Sequence, residues 1–248
     1  MYQDRYIAFI DILGFKESVK VSYQDELEFE RLNRDMRFIQ RLQSENYKAP
    51  YGSAYLGMEF SLFSDSIIIS YPADGPGNAF NILLEIAYIC LELVGMGYLL
   101  RGSITVGPLM HEGSICFGPA MNEVVDLEKK ANYPRILVDY KVIVRGIQCP
   151  GKANDNQMEE EYLNKLIKKD RQIIFLNYLE LYQEINDWDM YTILMENVRQ
   201  TLMIEYKKAI MDQNERVQEL LMWYIGYYNE TAYVVFNDPS HFLITEYK

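Results

Sequence analysis

Histidine, cysteine, basic charge and long apolar runs are all scarce in this 248-residue chain. Two histidines, His111 and His241, are too few for a His-rich metal centre and leave a histidine-based triad without support. Cys90, Cys116 and Cys149 are odd in number and widely spaced, which argues against a disulfide framework or a thiolate zinc site and fits reduced thiols in a cytosol. Lys and Arg total 24 against 36 Asp and Glu, a net charge of −12. Such a surface neither neutralises nucleic-acid phosphate nor clings to an anionic membrane, so neither is expected as a partner. A nucleotide is still an expected ligand type if a metal supplies the positive charge. The N-terminus enters a strand with no leader expected. The most apolar run, residues 79–94, is interrupted by Asn81, Glu85 and Glu92, so no membrane span is expected. Together these features imply a cytoplasmic protein. No repeat or low-complexity segment is present.

Hydrophobic residues make up 49% of the chain, enough for a sizeable core. Two strand-like stretches break the apolar pattern in the same way. Tyr6-Ile7-Ala8-Phe9-Ile10 runs into Asp11, with Gly14 close behind. Phe60-Ser61-Leu62-Phe63 and Ile67-Ile68-Ile69 flank Ser64-Asp65-Ser66, the pattern of a hairpin with a carboxylate at its tip. Either aspartate alone fits a turn or a cap. Two on adjacent strand ends form a chelating pair for divalent cations, and two such cations can clamp a phosphoryl transfer.

Periodicity predicts a helix over residues 25–44, a loop over 48–53, and a helix over 78–93 capped by Asn78 and ended by Gly95 and Gly97. Strands follow over 99–107 and 108–117, then a helix over 120–131 opened by Gly118-Pro119, and a short strand over 135–138. Alternating helices and hairpins imply an α+β sandwich with one sheet face covered. The Gly-, Pro- and Asn-rich stretch 146–157 is the candidate boundary, giving a core over 1–147 and a mostly helical extension over 158–248. Beyond it a strand is predicted at 173–176 and helices at 191–211 and 214–228. The aromatic cluster Trp223, Tyr224, Tyr227 and Tyr228 reads as packing.

Five segments resemble class III nucleotide cyclases, in order over residues 1–140. Phe9-Ile10-Asp11-Ile12-Leu13-Gly14-Phe15 resembles their first metal motif, and Ser64-Asp65 stands where they carry Gly-Asp. Arg101-Gly102-Ser103-Ile104-Thr105-Val106-Gly107, Gly118-Pro119-Ala120-Met121-Asn122 and Pro134-Arg135-Ile136-Leu137-Val138 resemble later segments. The wording around Asp11–Phe15, Leu127-Glu128 and Tyr133–Ile136 is most similar to the bacterial pyrimidine cyclases of the Pycsar anti-phage system, which make cyclic CMP or cyclic UMP as a signal for a separate effector.

The resemblance implies an antiparallel, palm-type (ferredoxin-like) sheet and a cyclase using two Mg²⁺ or Mn²⁺ ions per site. Asp11, Asp65 and the Ile12 carbonyl would hold the ions, and the N–H groups of Leu13, Gly14 and Phe15 would cradle phosphates. Asn122 would orient the ribose and transition state. Ser61 and Ile115 (or Cys116) stand at base-reading positions and lack the polar pair that reads adenine, which favours a pyrimidine triphosphate. The family's transition-state arginine is replaced by Asp126, with Arg101, Lys129, Lys130 and Arg135 as substitute cations, Arg101 foremost. The resemblance also implies a head-to-tail homodimer with its sites at the interface. Two other readings stand beside this one: a purine cyclase with a different base-reading set, and a degenerate cyclase fold that senses nucleotides or binds proteins. A polymerase palm is disfavoured by the acidic charge.

Overall fold

The computed structural model describes residues 1–41, 57–185 and 187–245. The loop expected at 48–53 lies outside the described residues, as does the last part of the helix expected over 25–44.

The chain runs β1 (Gln3–Ile12), α1 (Phe15–Ser22), α2 (Glu26–Arg41), β2 (Glu59–Phe63), β3 (Ser66–Pro72), α3 (Asn78–Gly95), β4 (Leu100–Glu112), β5 (Ile115–Phe117), α4 (Pro119–Glu128) and β6 (Ile136–Val138). It continues through α5 (Tyr140–Gln148), α6 (Asn156–Lys165), β7 (Ile167–Asp170), β8 (Ile173–Leu176), a 3₁₀ turn (Tyr178–Gln183), α7 (Trp188–Met211) and α8 (Glu215–Val235). One sheet carries the order β2-β3-β1-β4-β6-β8-β7, with β5 hairpinned onto β4. Its pairings are antiparallel except β4 with β6. The expected α+β architecture, an antiparallel-dominated sheet with covering helices, is the one observed.

Period-two alternation sorts the central strands onto two faces. Ala8, Ile10 and Ile12 of β1, Ile67, Ile69 and Tyr71 of β3, and Leu100 and Ile104 of β4 are all buried in the main core. Helix α3 fills that side. By length and composition it could cross a membrane, contrary to the expectation that no run would, but 72% of it is buried inside the fold as a core helix. Each buried Ile or Leu there contributes up to about 2–3 kcal/mol of transfer energy. The other face carries Ile7, Phe9 and Asp11 of β1, paired across to Thr105, Ser103 and Arg101 of β4. Helix α4 covers only part of it, with Ala120 and Val124 against Ile7 and Leu109.

Several expected boundaries shift for physical reasons. Gly77 in the left-handed conformation (φ 73°) caps α3, and Asn78 instead donates its side-chain N–H to the Pro72 carbonyl, 2.9 Å. Strand β4 continues through Pro108 to Glu112 as one long element, and the hairpin turn falls at Gly113 (φ 55°). An additional helix, α1, starts at Gly14. Strand β7 is also additional; its Ile-Lys-Lys-Asp sequence lacks the apolar alternation that marks a strand. Across the boundary expected at 146–157 the sheet is continuous: Leu137 of β6 pairs with Phe175 of β8, and one core cluster spans both sides. Tyr224, Tyr227 and Tyr228 are buried in that core, as expected of packing residues.

Candidate active site on the open sheet face

The two aspartates lie on neighbouring strand ends. Asp11 ends β1 opposite Ser66 of β3, and the Ile12 N–H donates to the Asp65 carbonyl at 3.1 Å, so the β2–β3 tip is stitched to the end of β1. Both side chains are partly buried. Burial, then the neighbouring charges of Asp65 and Glu128, push the Asp11 carboxyl up to about 6, while Arg101 and a Ser66 hydroxyl pull it down. A carboxylate penalised by burial and by neighbouring negative charge fits a divalent cation, which relieves both costs. Carboxylate and carbonyl oxygens such as those of Asp11, Asp65 and Ile12 are the hard donors that Mg²⁺ or Mn²⁺ takes. Among the described residues no cluster of three or more His, Cys, Asp or Glu forms a metal cage. An ion here would complete its shell with water or phosphate oxygen.

Arg101 faces the same side as Asp11, directly across β1–β4. Its Nε donates to Oε1 of Glu128. Glu128 is only 6% exposed. It projects from the inner stripe of α4 (Ala120, Val124, Glu128), which Ser103 Oγ anchors by donating to the Val124 carbonyl at 2.6 Å. Glu128 is the site residue to which motif reasoning assigns no role. Its i, i+4, i+8 spacing from Ala120 is the available signal, since it places a carboxylate on an otherwise apolar helix stripe.

The expected phosphate cradle loses Leu13. The Leu13 N–H is taken by the Leu99 carbonyl at 2.8 Å, so Leu13 cannot donate to a ligand. The N–H groups of Gly14 and Phe15, at the uncapped start of α1, have no backbone acceptor among the described residues. Gly14 needs its glycine: φ is 78°, and a Cβ there would be strained although it would meet nothing within 4 Å.

Ser61 is not presented to the carboxylate end. It is 9% exposed, and its Oγ donates to the Gly113 carbonyl at 2.6 Å. Its proton thus committed, Ser61 accepts from His111 Nε2 at 2.9 Å, which makes Nδ1 the acceptor for Ser70 Oγ at 2.8 Å. Ser70 in turn accepts from Arg5 Nε at 2.8 Å. The chain of donors leaves His111 neutral, and burial, reinforced by Arg5, pushes its imidazole down to about 4. Gly113 N–H also donates to Glu59 Oε2 at 3.0 Å. The network pins the tip of the β4–β5 hairpin to β2, so that Ile115 stands 58% exposed at the end of that hairpin.

Asn122 lies on the solvent side of α4, away from the inner stripe carrying Glu128, so one chain does not bring it to its own carboxylates. Of the substitute cations, Lys129 is paired with Asp126 at 2.8 Å. Arg135 is ruled out: it is 2% exposed, its guanidinium sits 5.2–5.7 Å from the Trp223, Tyr133 and Phe175 rings, and its Nη1 bonds Asp170 at 2.9 Å.

No protein-family model matches the chain, and no curated protein is similar to it in sequence. Solved structures similar in backbone path include the adenylyl cyclase CyaB from P. aeruginosa (13% identity, TM-score 0.42, covering 71% of this chain and 92% of that one). The guanylyl cyclase Cya2 overlaps at 12% identity and TM-score 0.39, over 71% and 91%. A bacterial light-regulated adenylyl cyclase overlaps at 14% identity and TM-score 0.43, over 81% and 57%. With TM-scores below 0.5 these likenesses carry no weight for the chemistry, which rests on the chain's own residues.

Proposed function

We propose that the protein is a metal-dependent nucleotide cyclase, a phosphorus–oxygen lyase that converts UTP or CTP to the 3′,5′-cyclic monophosphate and pyrophosphate. The observation that carries this reading is the placing of Asp11 and Asp65 on neighbouring strand ends at the open end of a half-covered sheet face, where burial, then the Asp65 and Glu128 charges, raise the Asp11 carboxyl to about 6. Asp11, Asp65 and the Ile12 carbonyl would hold two divalent ions, which would supply charge neutralisation and a more acidic ribose 3′-hydroxyl. The Gly14 and Phe15 N–H groups bind phosphate oxygens at the start of α1. The 3′-oxygen forms its bond to the α-phosphorus as the bond to pyrophosphate breaks, and the hydroxyl proton leaves to solvent. Arg101, released from Glu128, is the cation nearest the reacting phosphates.

Asn122 faces away from the site of its own chain, which supports a head-to-tail dimer in which a second copy contributes it. The exposed apolar residues Phe63, Ile115 and Phe117 offer area for that copy. Pyrimidine choice is supported by the exposed Ile115 position, which offers no charged base reader. A Pycsar-type role, a cytoplasmic cyclic pyrimidine signal read by a separate effector, follows from the motif wording. Incubation with each of the four ribonucleoside triphosphates and Mn²⁺, with products identified by mass, tests the reading. A cyclic purine product corrects the base assignment, and no cyclic product from any substrate ends the proposal. Asp11→Ala and Asp65→Ala are each expected to abolish turnover in folded protein.

One observation favours a second reading. Arg101 is committed to Glu128, Lys129 is paired with Asp126 and Arg135 is walled off, which leaves only the exposed Lys130 of the four candidate cations without an ion pair among the described residues. Metal-dependent triphosphate binding without turnover would identify a nucleotide-sensing module instead.

A further inference from the structure

A groove of about 930 Å³ lies on the far side of β6, between the β7–β8 hairpin and α8. That volume is in the range of small-molecule sites. One wall is flat: the Tyr133 and Trp223 rings stack at 5.1 Å, and both are partly exposed. Beneath them sits Arg135, buried, with an Nε that has no hydrogen-bond partner. The opposite lip is the β7–β8 hairpin, with Lys169 on β7 and Arg171 in its turn. Neither has an acidic partner among the described residues, whereas Lys168 is held by Glu230 at 2.9 Å and Glu180 at 3.5 Å. Two uncompensated cations at one groove are out of keeping with a chain of net charge −12.

The floor supplies an independent observation. Gly226 lies mid-helix in α8 and lines the groove, and a Cβ built there would meet nothing within 4 Å. Glycine inside a helix costs about 1 kcal/mol relative to alanine. The bare patch keeps the groove open at a position where any side chain would fill it.

We infer that this groove binds a planar organic anion of the phosphorylated-nucleoside class, its ring against Tyr133 and Trp223 and its phosphate toward Lys169 and Arg171. Ring stacking and charge-assisted hydrogen bonds to phosphate are the interactions these walls provide. The groove also touches the carboxylate face through the backbone. The Arg135 carbonyl accepts from the Gly102 N–H at 3.2 Å, and Gly102 follows Arg101. An occupant that moves Arg135 therefore bears on the strand that carries Arg101. Binding in the groove is independent of the cyclase reading and stands or falls without it.

Trp223 is one of only two tryptophans and reports the groove directly. In a Trp188→Phe background, the full chain in EDTA is titrated with UMP, AMP and inorganic phosphate while Trp223 fluorescence is followed. The expected result is a saturable change with a nucleotide, at least tenfold weaker in Gly226→Leu and in the Lys169→Glu, Arg171→Glu double variant, and unchanged in Asp11→Asn. If Gly226→Leu fails to fold by circular dichroism, the double variant at the exposed hairpin positions Lys169 and Arg171 decides. No saturable change, undiminished binding in the groove variants, or loss of binding in Asp11→Asn overturns the inference. So does inorganic phosphate binding as tightly as a nucleotide, because the rings would then contribute nothing.

Discussion

Replacing Asp11 with Asn should stabilise the metal-free protein. Burial and the Asp65 and Glu128 charges raise the Asp11 carboxyl from an ordinary value near 3.8 to about 6. A shift of roughly two units corresponds to about 3 kcal/mol at about 1.4 kcal/mol per unit, and discounting for partial exposure leaves on the order of 1–2 kcal/mol. The sign follows from linkage. A carboxyl raised in the folded state favours folding while protonated, so its contribution is fully present below about pH 4 and is lost as pH rises through about 6. Asn keeps the shape and removes the charge. In EDTA at pH 7.5, Asp11→Asn is therefore expected to melt roughly 2–8 °C above wild type, at about 2–4 °C per kcal/mol for a chain of this size. Near pH 4 the two should coincide. Adding Mn²⁺ should reverse the order: a ligand at a hundred times its Kd stabilises the wild type by about 2.7 kcal/mol, and the variant gains little. Differential scanning fluorimetry at two pH values, with and without Mn²⁺, gives all four numbers. An Asp11→Asn protein that melts at or below wild type in EDTA at pH 7.5 would refute the claim that the carboxylates repel each other across an unfilled donor set.

Other outcomes follow from the same structure. Glu85 on α3 is buried, and burial, then Glu92, raises its carboxyl to about 7; stability should fall as pH rises from about 4.5 through 7, and Glu85→Gln should be more stable than wild type at pH 8 by up to about 3 kcal/mol, read from urea midpoints. His111 shows the opposite dependence: its pKa, lowered to about 4, gives stability that is present above the ordinary histidine value and lost as pH falls through 4. His111→Phe should flatten that acid limb and, by leaving the Ser70 hydroxyl without an acceptor, cost about 1–3 kcal/mol at pH 7, read from urea midpoints across the same pH range. Gly102→Ala should fail to fold or lose over about 4 kcal/mol, because a Cβ there would collide with the Phe9 carbonyl oxygen; soluble expression and circular dichroism decide. Glu128→Gln should free Arg101 at a cost of about 1–3 kcal/mol, and a cyclase whose arginine is held back by Glu128 should show a changed kcat.

Apart from α1, the order of elements over the first 140 residues and the placing of Asp11 and Asp65 at strand ends are legible in the sequence because they depend on local patterns. An apolar strand that stops at a carboxylate and then meets glycine places a charge at the edge of a sheet, beside a turn. A Ser-Asp-Ser break between two apolar runs gives a hairpin tip. Strand alternation likewise assigns Phe9 and Asp11 to one face and Ile10 to the other. What the chain does not reveal in one dimension is which polar groups find each other across it. Arg101 and Glu128 are 27 residues apart, and Ser61 and His111 are 50 apart. Arg135 reads as a spare cation until packing encloses it between rings from α8 and β8, and Leu13 reads as a phosphate donor until its N–H meets Leu99. In each case a non-local partner supplied by the tertiary structure claims a hydrogen-bonding group that the local sequence leaves open, because a buried polar group in a folded chain is costly unless something answers it.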